Sequence, residues 1–482
     1  MNMQPNQDLA TSRISGLQEA NRIGRVYADW TALKADGAIS DAICAVEVLQ
    51  AYDRPRHLMN ARLREMRTWL PVALLKRGRP QDAQAALDSA ENAYGASSQT
   101  RSAQAQIYYH FGRLGEAAAA FGEALVLLKP TTKPSPAYDR AAHAWVDALC
   151  LNGEHERARR LVERLFAKRT AWKTDNIRAL RLTVKSAADL DEFAAFLAPS
   201  FSKQGAESRT ALYHYSMACR EQGRYREAEA AVRQRFITSA EIVGFGSKKA
   251  PSKSARQGWV EDARVTLQNL KQALDEAEAP MFLISGTLLG CVRENDILGH
   301  DKDIDVGVME TGLDKAKIQD VIARSGWFSI KPYQSPGLLR LQHASGVLVD
   351  VFWHREEDGR IVHEGLKSKW WNSPFDLVSR EFLGQDHLIP RNYGLYLQEN
   401  YGDWVRPSVE FETFVDTPNM IITHEGEMMW YYYCKLFEYY FSGKFPQFEK
   451  VALAILAQRP RDWAIVRVLE SVRRFELGRS AG

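Results

Sequence analysis

Phe282-Leu283-Ile284-Ser285-Gly286-Thr287-Leu288-Leu289-Gly290-Cys291-Val292-Arg293, followed by His300-Asp301-Lys302-Asp303-Ile304-Asp305-Val306, decides how the second half of this sequence folds. A short apolar strand runs into Ser285-Gly286, where glycine permits a tight turn and a close approach of backbone to an anion. The helix that starts near Thr287 then turns its free amides toward that anion. Asp303 and Asp305 stand two apart on the next strand, so both carboxylates leave one face. A lone acid inside the apolar run Leu348-Val349-Asp350-Val351-Phe352 supplies a third. Buried without a partner it would be costly, and a cation shared with the first two removes that cost. Hard oxygen donors so placed suit Mg²⁺ or Mn²⁺. A glycine turn, an Asp-x-Asp pair and a later strand aspartate stand in that order, a set of three that seldom arises by accident. Asp303, Asp305 and Asp350 are therefore the expected catalytic and metal-binding residues.

Around this core, strands are expected at Met281–Ile284, Ile304–Val308, Leu338–Gln342 and Val347–Trp353, after a helix over Val260–Ala277. Strands alternating with helices make this half an α+β domain with a mixed sheet. The segment 243–258 concentrates Gly, Ser, Pro and Lys and reads as a linker.

Upstream, residues 15–242 carry apolar residues at helical spacing and few strand signals. Gly78, Gly112, Gly153 and Gly223 are each followed five residues later by alanine: Ala83, Ala117, Ala158 and Ala228. The first interval is 34 residues, the tetratricopeptide period. The second is lengthened by the Pro-rich insert 129–136, and the third spans two repeats, with a degenerate copy expected near Ala187–Leu197. A glycine there ends one helix in a left-handed cap, and the small alanine lets the next helix pack against it. An α-helical, tetratricopeptide-like solenoid is the expected fold of this half, offering a concave surface to a protein partner. The expected organisation is thus a disordered leader at 1–14, helical repeats at 15–242, a linker at 243–258, the α+β domain at 259–445 and a helical tail at 446–482.

The chain has 482 residues, 45% of them hydrophobic and 26% charged, with a formal charge of +3. That balance offers no general attraction to nucleic acid, so a polynucleotide substrate is disfavoured. The five cysteines are scattered without metal-ligand spacing and read as reduced thiols. No apolar run is long enough for a transmembrane helix and no signal peptide opens the sequence. The expected setting is cytoplasmic, which leaves open a peripheral position at the inner face of a membrane.

Ser285-Gly286-Thr287-Leu288-Leu289-Gly290 with Arg293, the segment His300–Asp305, and Val349-Asp350-Val351-Phe352 resemble the LicD/fukutin family. Pro374-Phe375-Asp376-Leu377, Ile389-Pro390, Tyr393, Tyr396-Leu397 and Asn400-Tyr401-Gly402-Asp403-Trp404 extend the resemblance, which leaves the first half of the chain untouched. It implies a nucleotidyltransferase fold and transfer of a substituted phosphate, such as phosphocholine, ribitol phosphate or glycerol phosphate, from a CDP-activated alcohol to a glycan hydroxyl, with release of CMP. Ser285, Gly286, Thr287, Arg293, His300 and Asp301 are the expected substrate-binding residues, and Asp350 is also placed to take the hydroxyl proton. Lys302 departs from the consecutive acids of many relatives, its side chain being expected to point away from Asp303 and Asp305.

Arg340 and His343 are further phosphate-binding candidates, whereas Lys367 and Lys369 read as solvated. The aromatic run Trp430–Phe441 is expected to be a packed core helix, and Arg459–Arg479 a packing element. The competing readings are a nucleotidyltransferase that adds NMP to a small molecule or protein, an inactive repeat scaffold, and a membrane-bound assembly adaptor.

Overall fold

The computed structural model describes residues 21–35, 38–49, 60–128, 136–167, 174–203, 205–247, 253–331 and 334–480. The expected leader lies outside them. Helical pairs build the first half: Ala61–Lys76 with Pro80–Tyr94, Ser98–His110 with Leu114–Leu128, Pro136–Leu151 with His155–Ala167, and Ala206–Glu221 with Tyr225–Ala240. Gly78, Gly112, Gly153 and Gly223 close the first helix of each pair at φ +70°, +68°, +80° and +72°. The next amide reaches back over the turn each time: Arg79 N–H to Leu74 O, Arg113 to Tyr108, Glu154 to Leu149 and Arg224 to Cys219, at 2.8–3.0 Å. One cap, repeated four times, satisfies otherwise orphaned carbonyls. Ala83, Ala117, Ala158 and Ala228 are fully buried. The degenerate copy is the helix Ala187–Phe201, which packs on Ala206–Glu221. This half is a tetratricopeptide-like array of helical hairpins.

The second half is a mixed sheet. Its strands are β1 (Met281–Leu283), β2 (Asp303–Met309), β3 (Phe328–Ile330), β4 (Leu338–His343), β5 (Leu348–Glu357), β6 (Arg360–Glu364), β7 (Ser368–Asn372), β8 (Leu377–Phe382), β9 (Gln385–Pro390) and β10 (Met420–Ile422). The order is β10-β7-β6-β5-β2-β1-β9-β8, with β4 also on β5 and β3 on β4. The β2–β5 and β1–β9 pairs are parallel and the other pairs antiparallel. Strand β5 is the hinge of this arrangement. Its first part is flanked by β2 and β4, and its last three residues pair with β6.

The halves are not tethered through a solvated linker along its whole length. Helix Lys253–Glu276 begins inside the segment 243–258. Val243 and Phe245 pack against the aromatic cluster of helix Glu425–Ser442, and Gly246 N–H donates to Tyr440 O at 2.9 Å. Residues 248–252 lie outside the described residues. The apolar content of Val-Gly-Phe-Gly explains the packing: two small residues let Phe245 reach Tyr440, Phe448 and Phe475.

Helix Glu425–Ser442 is the core helix its aromatic run predicts, packed against the last repeat helix Tyr225–Ala240. The boundary placed at 445/446 runs through the start of helix Phe445–Gln458, and helix Trp463–Ser480 follows. Arg233 grips Asp462 through two hydrogen bonds of 2.7 and 2.6 Å, joining the tail to the repeats. At the other end of the sheet, Trp327 Nε1 donates to Gly78 O at 3.0 Å, and Arg77 pairs with Asp262 at 2.6 Å. Part of the repeat surface is therefore covered by this chain's own sheet domain.

Candidate active site

Strand β2 outruns β1, whose register ends at Leu283↔Val306. Asp303 and Asp305 therefore project beyond the β1 edge, and the Asp305 N–H, lacking a β1 partner, donates to Thr287 Oγ1 at 3.0 Å. Buried Thr287 thus holds the strand that carries the aspartates. Parallel pairing sets Asp305 directly beside Asp350. Carboxylate oxygens of Asp303, Asp305 and Asp350 all lie within 4.8 Å of one another. The antiparallel neighbour β4 places Arg340 opposite Asp350. Its Nε and Nη2 donate to the two Asp350 oxygens at 2.9 and 2.8 Å.

Like charges crowded out of water resist ionisation. Burial, then the charges of Asp301 and Asp350, pushes the Asp303 carboxyl up to about 7. Burial raises Asp305 well above its ordinary value, helped by Asp303, Asp350 and Asp301. Burial likewise lifts Asp301 to about 6. Arg340 alone does not neutralise this cluster. Three hard carboxylates with an unmet demand for positive charge fit a divalent cation.

The turn at Ser285 is strained: Ser285 sits at φ +48°, a left-handed conformation that costs a non-glycine residue about 1 kcal/mol. Gly286 is needed here for a reason the sequence did not show. A Cβ on it would collide with the Asp301 carboxylate, so the close approach is by this chain's own acid. Asp301 thus joins the acidic cluster. Arg293 does not reach the carboxylates and pairs with Glu294 at 3.2 Å. His300 is exposed.

Arg340 belongs to the site through Asp350, whereas buried His343 bonds Asn269 and Ser345 and is held down to about 3 by burial. Lys302 points outward to Glu438 at 3.0 Å. Lys369 pairs with Glu357, but Lys367 corrects the expectation of a solvated side chain: its ammonium lies 3.8 Å from the Phe414 ring centre and 4.5 Å from that of Tyr431. Burial, then Arg340 and Arg220, pushes it down to about 7.

Two tyrosines complete the cluster. Helix Tyr393–Tyr401 packs against helix Ser285–Arg293. The Tyr396 and Tyr401 hydroxyls are raised by burial first and then by nearby charges, Asp305 among them for both. In the sequence they stood out only through the resemblance, in Tyr396-Leu397 and Asn400-Tyr401, with nothing to place them beside the aspartates.

Against this geometry, residues 278–392 match the family model described as LicD/FKTN/FKRP, nucleotidyltransferase domain. The second half of the chain carries a LicD/FKTN/FKRP domain. Its similar proteins include the ribitol-5-phosphate transferase FKTN of Homo sapiens, 27% identical over 219 residues, or 41% of this chain and 42% of that protein. The Macaca fascicularis FKTN is 25% identical over 218 residues, with the same coverage. The chain thus spans 42% of the length of the curated relatives it matches. Among solved structures, a tetratricopeptide repeat protein from Parabacteroides merdae aligns with 63% of this chain and 99% of its own, at 11% identity and a TM-score of 0.36. No helix among the described residues is long and apolar enough to cross a membrane.

Proposed function

We propose that the LicD/FKTN/FKRP domain transfers a substituted phosphate from a CDP-linked alcohol to a glycan hydroxyl, releasing CMP. The observation that carries this reading is the convergence of Asp303, Asp305 and Asp350 on adjacent parallel strands, beside the Ser285–Thr287 turn. The similar proteins are ribitol-5-phosphate transferases, which makes ribitol phosphate the first group to test, with glycerol phosphate and phosphocholine next.

In the reaction, the acceptor hydroxyl oxygen bonds to the distal phosphorus as the bond from that phosphorus to the CMP oxygen breaks. The hydroxyl proton passes to a carboxylate of the cluster. Asp303, Asp305 and Asp350 would hold Mg²⁺ or Mn²⁺, which supplies neutralisation of the diphosphate charge. Arg340 donates to both oxygens of Asp350 and so orients that group and occupies its lone pairs, which suits a ligand better than a base. Thr287 fixes the height of Asp305, and Gly286 leaves room for Asp301 over the turn.

Incubation with Mg²⁺, a glycan acceptor and CDP-ribitol, CDP-glycerol, CDP-choline or CTP tests the reading. CMP release from one of the CDP-alcohols, lost in Asp303→Ala, supports it. Pyrophosphate release from CTP, with every CDP-alcohol untouched, would replace it with nucleotidyl transfer.

A further inference from the structure

A cavity of about 250 Å³ opens on the far side of Asp350 from the Ser285–Thr287 turn. Its floor is β4 and β5, and its walls come from the β6–β7 connection, Phe414, helix Glu425–Ser442 and the repeat helix Ala206–Glu221. Both halves of the chain therefore build it. The carboxylates at its wall already have cations: Asp350 has Arg340, and Glu427 has Arg220 at 2.8 Å. Lys367 is the surplus. Among the described residues no carboxylate lies within ion-pair distance of its ammonium, which rests on the faces of Phe414 and Tyr431. Trp430 adds a third aromatic wall, held by its Nε1–H on Ser216 Oγ at 3.0 Å and by the Arg220 guanidinium 4.4 Å above its ring.

A half-buried ammonium without a counter-anion is a cost that a bound anion would remove. The Ser285–Thr287 turn lies on the β1 side of the three aspartates and this cavity on the β4 side, so a donor held beside the turn leaves the cavity to the other reactant. We propose that it holds the acceptor, and that the acceptor is an anionic glycan whose phosphate or carboxylate lies against Lys367. The inference rests on the transfer reaction proposed above. It gives the repeat half a part in substrate selection through Arg220 and through Ser216, which positions Trp430.

The test is a titration of the full chain, without metal or donor, followed by tryptophan emission. The probes are glucose 6-phosphate, glucuronate and glucose. A saturable change with either anion, at least about tenfold weaker with glucose, is expected. The stronger of the two anions tells phosphate from carboxylate. Lys367→Met should weaken anion binding about tenfold while Lys367→Arg keeps it. In the CMP-release assay, Lys367→Met should raise the acceptor KM by a similar factor with kcat little changed.

Equal binding of glucose, or anion binding untouched by Lys367→Met, would overturn the proposal. If Lys367→Met does not fold, Trp430→Phe serves instead: an emission change that persists undiminished places the anion outside the cavity and also overturns it. Because the titration needs neither metal nor donor, its failure leaves the transfer reaction standing. Absence of CMP release, conversely, leaves the anion site to be judged on its own.

Discussion

The four repeat turns and the aspartate cluster handle buried polarity in opposite ways. At Gly78, Gly112, Gly153 and Gly223 the amide after the glycine reaches back to a carbonyl five residues earlier, and the small residue five positions on is sealed from water. In the sheet, Asp303, Asp305, Asp350 and Asp301 are brought together from separate segments and left with one guanidinium among them. The repeat turns satisfy their polar groups locally, whereas the cluster stores a repulsion that a bound cation would relieve.

The sharpest way to break that contrast is Asp305→Asn. If the cluster is catalytic, CMP release should fall by about 10³-fold, while the metal-free protein melts at a higher temperature because one repelling charge has gone. Activity retained, or a lowered Tm, would make the aspartates ordinary structure.

Glycine substitutions probe the other side. Gly153→Ala meets only the strain of φ +80°, with open space around the new Cβ, and should cost about 1 kcal/mol in denaturant unfolding. Gly78→Ala adds a collision with the Asn269 amide, which is bonded to His343, and should cost about 2 kcal/mol. Equal losses at the two positions would show that the Gly78 turn is not keyed to the sheet domain.

A smaller effect appears with pH. The Asp303 carboxyl ordinarily titrates at 3.8 and is raised to about 7 in the fold. A raised carboxyl favours the protonated folded form, so its contribution is fully present below about 4 and is lost as pH rises through about 7. In chelator, the Tm of Asp303→Asn minus that of the native chain should therefore grow from pH 5 to pH 8. Taking the difference cancels the buried histidines, His343 and His354 among them, whose lowered values act in the opposite direction. Adding Mg²⁺ should stabilise the native chain more at pH 8 than at pH 5. A difference that shrinks with pH would contradict the burial of Asp303.

The smallest change is expected at Lys302→Ala. Its ion pair with Glu438 is largely exposed, so unfolding free energy should move by no more than about 0.5 kcal/mol.

The helical array was legible because its signals are local. A glycine in the left-handed region, an alanine five residues later and a helical apolar stripe each act within a few residues, so their spacing alone fixes where helices stop and pair. The Asp-x-Asp face was legible for the same reason, since alternation along a strand needs no partner. The packing of Val243 and Phe245 was not. A Gly-, Ser- and Lys-rich composition says nothing of an aromatic cluster contributed from about Tyr440 onward.

By itself, then, the sequence determined the repeat period, the caps, and the candidacy of Asp303, Asp305 and Asp350. Only the tertiary structure decided that β5 runs parallel to β2 so that Asp350 meets Asp305, and that Arg340 takes both Asp350 oxygens. It alone set Asp301 over Gly286, paired Arg293 away from the cluster, and placed Lys367 with Arg220 and Trp430 around one cavity. Such convergence depends on strand order and on how two halves dock, and these follow from the summed burial of many distant residues rather than from any short stretch of the chain.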